Sequence, residues 1–298
     1  MSSAQPIDPR TTHLDRLRAR LAAGEPYAGD LLSSLALAVT ALDPTGTEDT
    51  LGELEGNGAV HLHRSLVSWA SLVPGERVLD VGCGAGAITR AAAEAVGPTG
   101  TVVGIDACRE AIDAAVERTP AGLGVTYLVR RVEQLTGLPD RSFDCITMGL
   151  VLEQLPDLEA AMRELRRVVR PGGRIVASVT DFDQFRPADA AFYGAALAVV
   201  AWHARGAVTG RAVRPTIPWD RRDRSAFEHA GFAGVEERDI QLVADLATED
   251  AAWALFSRSM LGMLVGPLAR LDLRGALAIR VPHTLYLPMR YLRMRRPG

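Results

Sequence analysis

The chain has 298 residues, 48% of them hydrophobic and 23% charged, enough apolar content for one large, well-buried core with additions. The net charge of −3 gives no electrostatic case for nucleic acid as a main partner. All 33 basic residues are arginine, which excludes a P-loop lysine, a Schiff-base lysine and a kinase lysine. In chain order, "THLDRLRARLAAG" and "DLLSSLALAVTAL" read as helices, the first ending at Gly24, the second with Asp30 as N-cap. "DPTGTEDTLGELEGNG" reads as an acidic loop, and a third helix is expected from about Ala59 to Leu72.

From Arg77 the pattern alternates. "RVLDVG", "GTVVGID", "VTYLVRR", "FDCITMGL" and "RIVASV" read as buried strands, separated by helices at "AITRAAAEAVG", "CREAIDAAVERT" and "DLEAAMRELRRVVRPGG". The last of these helices is expected to stop at Gly172 and Gly173. Such alternation implies a parallel sheet with helices on both faces. After Asp181 a helical insertion is expected, then helix, turn and strand through "DRSAFEHAGFAGVEERDIQLV". The remaining tail reads as helices that end in a solvated "RYLRMRR". The three cysteines (Cys83, Cys108, Cys145) have no metal or disulfide spacing, and no metal is expected. The start lacks a signal pattern, and "AAFYGAALAVVAWHA" is short for a membrane span, so a cytoplasmic protein is expected.

"VLDVGCGAGAITR" (Val78 to Arg90) holds Gly82, Gly84 and Gly86 between a strand and a helix. It also fits the dinucleotide pattern through Gly82, Gly84 and Ala87. Asp80 argues against a pyrophosphate, because a carboxylate there suits a positively charged ligand such as an amino-acid ammonium. Asp106, 24 residues after Gly82, can accept from both hydroxyls of a ribose. A nucleoside with an ammonium and no phosphate describes S-adenosylmethionine.

Together with "SFD" and "RPGGR", these motifs resemble the class I S-adenosylmethionine-dependent methyltransferases, nearest the ubiquinone/menaquinone methyltransferase-like group, over about Pro74 to Val179. The resemblance implies a Rossmann-like, doubly wound, seven-stranded, mostly parallel sheet. It divides the chain into an N-terminal helical cap (1–73), a cofactor core (74–180), a helical insertion lining an acceptor pocket (181–219), and the rest of the core with a helical tail (220–298). Asp80 with Gly82, Cys83 and Gly84 would hold the methionine end, and Gly86 would allow close helix packing. Asp106 would hold the ribose, with Ala107 against the adenine and Val132 and Glu133 at its edge. Met148, Gly149 and Leu150 would close the pocket floor.

Two departures stand out. Arg131-Val132 replaces an acidic residue followed by a small one after the third strand, and Glu153-Gln154 replaces a histidine pair after the fourth. The implied reaction is methyl transfer to O, N or C of a small, largely apolar acceptor, expected in secondary metabolism such as antibiotic biosynthesis. His203, Asp181, Glu153 and His61 are the candidate bases, in that order, with His63 beside His61 as a fallback. A non-methylating reaction such as cyclisation, a non-catalytic partner subunit, a nicotinamide oxidoreductase and a homodimer stay open as alternatives.

Overall fold

The computed structural model describes residues 9–22, 29–55, 62–181, 184–203, 221–257 and 267–298. Among the described residues, four helices precede the first strand: α1 (Pro9–Ala22), α2 (Gly29–Leu42), α3 (Gly46–Glu55) and α4 (Leu62–Ala70). The core follows as β1 (Arg77–Val81), α5 (Ala87–Val96), β2 (Thr101–Asp106), α6 (Arg109–Arg118), β3 (Val125–Val129), β4 (Phe143–Gly149), α7 (Leu158–Val168) and β5 (Val169–Thr180). A 3₁₀ turn, Leu152–Gln154, lies between β4 and α7. The chain continues through α8 (Pro187–His203), α9 (Arg221–His229), β6 (Ala233–Leu246), α10 (Glu249–Ser257), α11 (Pro267–Ala278) and β7 (His283–Arg295).

The seven strands form one sheet in the order β3-β2-β1-β4-β5-β7-β6. Only β7 runs antiparallel to its neighbours, β5 and β6. Side chains alternate across this sheet and feed two cores. One core joins Val78 and Cys145 to α4, α5, α8, α10 and α11. The other joins Leu79, Val81 and Ile146 to α7 and α9. Helix α7 shows why: Asp157 caps it by accepting from Ala160 N at 2.8 Å, and Ala161, Met162, Leu165 and Val168 form its fully buried face.

Three sequence expectations need correction. The acidic "loop" after α2 contains α3, whose first turn carries Glu48 and Asp49 where the helix dipole favours anions. Thr45 Oγ1 also donates to Asp49 Oδ2 at 2.7 Å across that turn.

The glycines expected to end α7 lie inside β5 instead, since α7 stops at Val168. Its end is closed from far along the chain: Arg296 Nη1 donates to the carbonyls of Arg166 and Val169, at 2.5 and 2.6 Å. The Arg296 backbone also pairs with Gly172 and Gly173, each at 2.9 Å.

The expected solvated tail is β7, and its arginines answer acids on β6 and at the end of β5. Arg290 meets Asp239 at 2.7 Å and Asp181 at 2.8 Å, and Arg293 pairs with Glu236. Opposite charges across strands stabilise a pairing that composition alone would assign to solvent. Among the described residues no helix is long and apolar enough to cross a membrane.

Candidate functional site

Between β1 and β4 the strand order reverses, and at the carboxyl ends of these strands a cavity of about 210 Å³ opens. Its floor is the glycine loop. Gly82 and Gly84 both have positive φ, 63° and 53°, a conformation that other residues adopt only with strain. A side chain at Gly82 would strike Val151, whereas one at Gly84 would meet nothing within 4 Å. Gly84 therefore presents bare backbone to open space. At Gly86 an added Cβ would meet Tyr127, Arg90 and Ala115, so that glycine serves the close packing of α5.

The carboxylate of Asp106 shapes this loop. Its Oδ2 accepts from Gly84 N at 3.0 Å and its Oδ1 from Cys108 N at 2.8 Å. Burial pushes its pKa up, while these backbone donors pull it back down. Ala107, Arg130, Arg131, Val132 and Glu133 continue the wall past the ends of β2 and β3. Glu133 Oε1 is buried and has no hydrogen-bond partner among the described residues, although the other oxygen lies 3.6 Å from Arg131. Cys83 also faces the cavity, and burial raises its thiol pKa well above the usual range.

Helices α2 and α3 roof the cavity. Ser33, Ala36, Leu37 and Thr40 recur at helical spacing on α2 and face inward, followed by Thr47 and Glu48 of α3. The roof is tied down by charge. Glu48 Oε1 accepts from Arg90 at 2.5 Å, and Asp49 Oδ1 accepts from Arg118 at 2.8 Å. His63, near the start of α4, completes this wall.

Several candidate residues stand elsewhere. Asp80 is fully buried and does not line the cavity. Its oxygens accept from Thr89 Oγ1 at 2.5 Å and Thr147 Oγ1 at 2.8 Å, joining β1 to α5 and β4 behind the loop. Burial raises its pKa to about 7 against the opposing pull of those hydroxyls. Met148 is likewise fully buried, turned into the core beside α7, leaving Gly149 and Leu150 at the cavity.

Glu153 is buried, and its Oε1 accepts from Thr180 N at 2.7 Å, where it fixes the end of β5. Asp181 is engaged by Arg290 and by Gln184 Nε2 at 2.9 Å. Neither lines the cavity. His61, Asp183 and the His203 side chain lie outside the described residues.

All described lining residues fall between Ser33 and Pro156. The described part of 181–219 contributes no residue to this cavity. Helix α8 instead packs Phe192 against Phe256, with centroids 5.6 Å apart, and stacks it on His283 at 4.8 Å. Sequence reasoning missed α2, Thr47 and Glu48. A signal existed in the inward spacing of Ser33, Ala36, Leu37 and Thr40, but the ion pairs that dock α3 join residues 42 and 69 positions apart.

The doubly wound sheet, the glycine loop at its switch point and an acid ending β2 define a nucleoside-binding α/β domain. Residues 79–177 match the methyltransferase domain family. Demethylmenaquinone methyltransferase of Staphylococcus aureus is 40% identical over 106 residues, 36% of this chain and 44% of that protein. An uncharacterized 37.1 kDa protein from a Streptomyces fradiae transposon is 41% identical over 110 residues, 37% of this chain and 32% of its own length. The match thus spans less than half the length of these relatives. Among solved structures, the YcgJ protein of Bacillus subtilis superposes with a TM-score of 0.56 at 17% identity, covering 80% of this chain and 99% of its own. Over residues 79–177 the chain thus resembles the class I S-adenosylmethionine-dependent methyltransferases.

Does the cavity fit that cofactor? Four carboxylates (Asp43, Glu48, Asp106, Glu133) and two arginines (Arg130, Arg131) line it. This acidic balance suits a ligand bearing sulfonium and ammonium charges and opposes a pyrophosphate. The open side of Gly84 and the unpartnered Glu133 oxygen are the places where a ligand would complete the packing and the hydrogen bonding.

Proposed function

We propose that the chain transfers a methyl group from S-adenosylmethionine to a small, largely apolar acceptor lying between the glycine loop and the N-terminal helices. The observation that carries this reading is the continuity of one cavity from Gly82–Ala85 to the inward face of α2. S-adenosylmethionine, when bound, supplies an electrophilic methyl group.

The chain's own residues bind, orient and dry the site. Asp106 accepts from the ribose hydroxyls, Ala107 and Val132 flank the adenine, Glu133 accepts from its amino group, and the loop backbone receives the methionine end. Ala36, Leu37, Val39, Leu150 and Leu155 give the acceptor an apolar bed, and Ser33, Thr40, Gln154 and His63 give it few polar anchors. With cofactor and acceptor filling this cavity, orientation and exclusion of water can supply most of the rate. An acceptor whose nucleophile carries a proton meets His63 as the imidazole on the described wall, suited to hold that proton. A secondary metabolite of polyketide, terpenoid, alkaloid or sugar type is the preferred acceptor class.

Titration calorimetry with S-adenosylhomocysteine and with NAD tests the cofactor reading. Binding of the first and not the second is expected, and the reverse would overturn it. Mass spectrometry of small-molecule extract incubated with isotope-labelled S-adenosylmethionine tests the reaction by the label's appearance in one small product. His63→Ala should lower turnover of that product while leaving cofactor affinity within about twofold.

A further inference from the structure

The position of Asp80 leaves a charge unanswered. If the glycine loop receives the methionine end, as proposed above, an ammonium group comes to rest near Gly82–Ala85. The carboxylate that the sequence offers for it is turned away, onto Thr89 and Thr147. A cation that gives up part of its hydration in the cavity needs an anionic or strongly accepting partner, because lost hydration otherwise opposes its entry.

Of the four carboxylates on the wall, Asp106 holds the Gly84 and Cys108 amides and is the one assigned above to the ribose, and Glu133 lies beyond β3, beside Arg131. Asp43 lies between α2 and α3. Glu48 is placed differently. Its Oε1 accepts from Arg90 Nη2 at 2.5 Å, and Nη1 of the same guanidinium donates to Ala85 O at 2.7 Å. Glu48 is thus fastened to the glycine loop across the width of one arginine head. Its second oxygen, Oε2, is buried and has no hydrogen-bond partner among the described residues. A buried carboxylate oxygen without a donor is uncommon in native proteins and calls for a missing partner.

We infer that Glu48 Oε2 accepts from the ammonium group of the cofactor, so that a carboxylate on the N-terminal cap takes over the role the sequence suggests for Asp80. The inference rests on the proposed use of S-adenosylmethionine. Cofactor binding and docking of α3 then share one residue. Arg90 links Glu48 to the loop, while Arg118 holds the neighbouring Asp49 at 2.8 Å. The residue that carries this orphan oxygen lines the cavity itself.

The test compares two ligands by calorimetry: S-adenosylhomocysteine, which carries the amino-acid end, and 5′-methylthioadenosine, which lacks it. Glu48→Gln should weaken S-adenosylhomocysteine about tenfold or more and leave 5′-methylthioadenosine within about twofold, the size of a charge-assisted hydrogen bond. Asp49→Asn loosens α3 from Arg118 without touching the orphan oxygen, and should change both ligands by one common factor. Unchanged S-adenosylhomocysteine affinity in Glu48→Gln would overturn the inference, as would an equal loss for both ligands, which would make Glu48 a latch only. Wild-type protein that binds neither ligand would overturn the proposed cofactor itself, a failure distinct from these.

Discussion

The helices before β1 and the chain after β5 are both additions to the same core, and they end at different places on it. Helices α2 and α3 return over the carboxyl ends of β1, β2 and β4 and become walls of the cavity. The later segment extends the sheet with β7 and β6 and buries α8, α10 and α11 against one face. The two regions also meet: Tyr291 of β7 donates to Leu62 O at 3.0 Å and bonds Ser65, both on α4. What separates them is where their charges find partners. Acids at the start of α3 find Arg90 and Arg118 beside the glycine loop, whereas the arginines of β7 find acids on the neighbouring strand. An addition lines the site only if its charges and apolar face are answered at the switch point of the sheet.

Substitutions test this division, since the cavity side should control binding and the C-terminal side stability. Gly84→Val should have the largest effect. It forces a β-branched residue to φ 53° and fills the space the ligand needs. Calorimetry should find no S-adenosylhomocysteine binding in a protein that still melts cooperatively.

On the other side, Phe256→Ala removes a ring packed 5.6 Å from Phe192 and 5.2 Å from Tyr193. It should cost about 3–5 kcal/mol in denaturant unfolding, with cofactor affinity retained under folding conditions. Equal damage to binding and stability in either variant would merge the two regions.

Asp106→Ala comes next. Loss of charge-assisted hydrogen bonds of about 1.5–3 kcal/mol should weaken S-adenosylhomocysteine roughly 10- to 100-fold, and an unchanged dissociation constant would remove Asp106 from the site.

The last prediction concerns stability alone, at Asp80. Its pKa rises from 3.8 to about 7 on folding, so the folded state favours the protonated carboxyl. Its contribution to stability is full below pH 4 and is lost as the pH climbs through about 7. Asp80→Asn should therefore flatten the stability difference between pH 4 and 7 relative to wild type. Parallel pH profiles for the two proteins would mean that Asp80 is already ionised in the fold.

How much of this was legible in the sequence depended on how local the cause was. The glycine loop and Asp106 could be read because strand, turn and acid follow one another within one β-α-β unit. The five core strands could be read because they are nearly continuous apolar runs, as a sheet covered on both faces requires. Strand β7 was hidden because Arg290 and Arg293 break the apolar alternation, and their neutralising partners Asp239 and Glu236 lie 51 and 57 residues away. Glu153 and Asp181 looked reactive because charged residues at strand ends often are. Their burial depends on Thr180 N and Arg290, which only the folded sheet brings to them. The place of α3 in the expected cap was hidden for the same reason, since α3 becomes a roof only through Arg90 and Arg118.

Amide hydrogen exchange with and without S-adenosylhomocysteine measures whether the N-terminal cap, rather than the described part of the segment after β5, closes over the ligand. Peptides covering 33–48 and 82–87 should slow their exchange on binding, while those covering 187–203 stay unchanged. Protection of 187–203 with 33–48 unaffected would contradict closure by the cap.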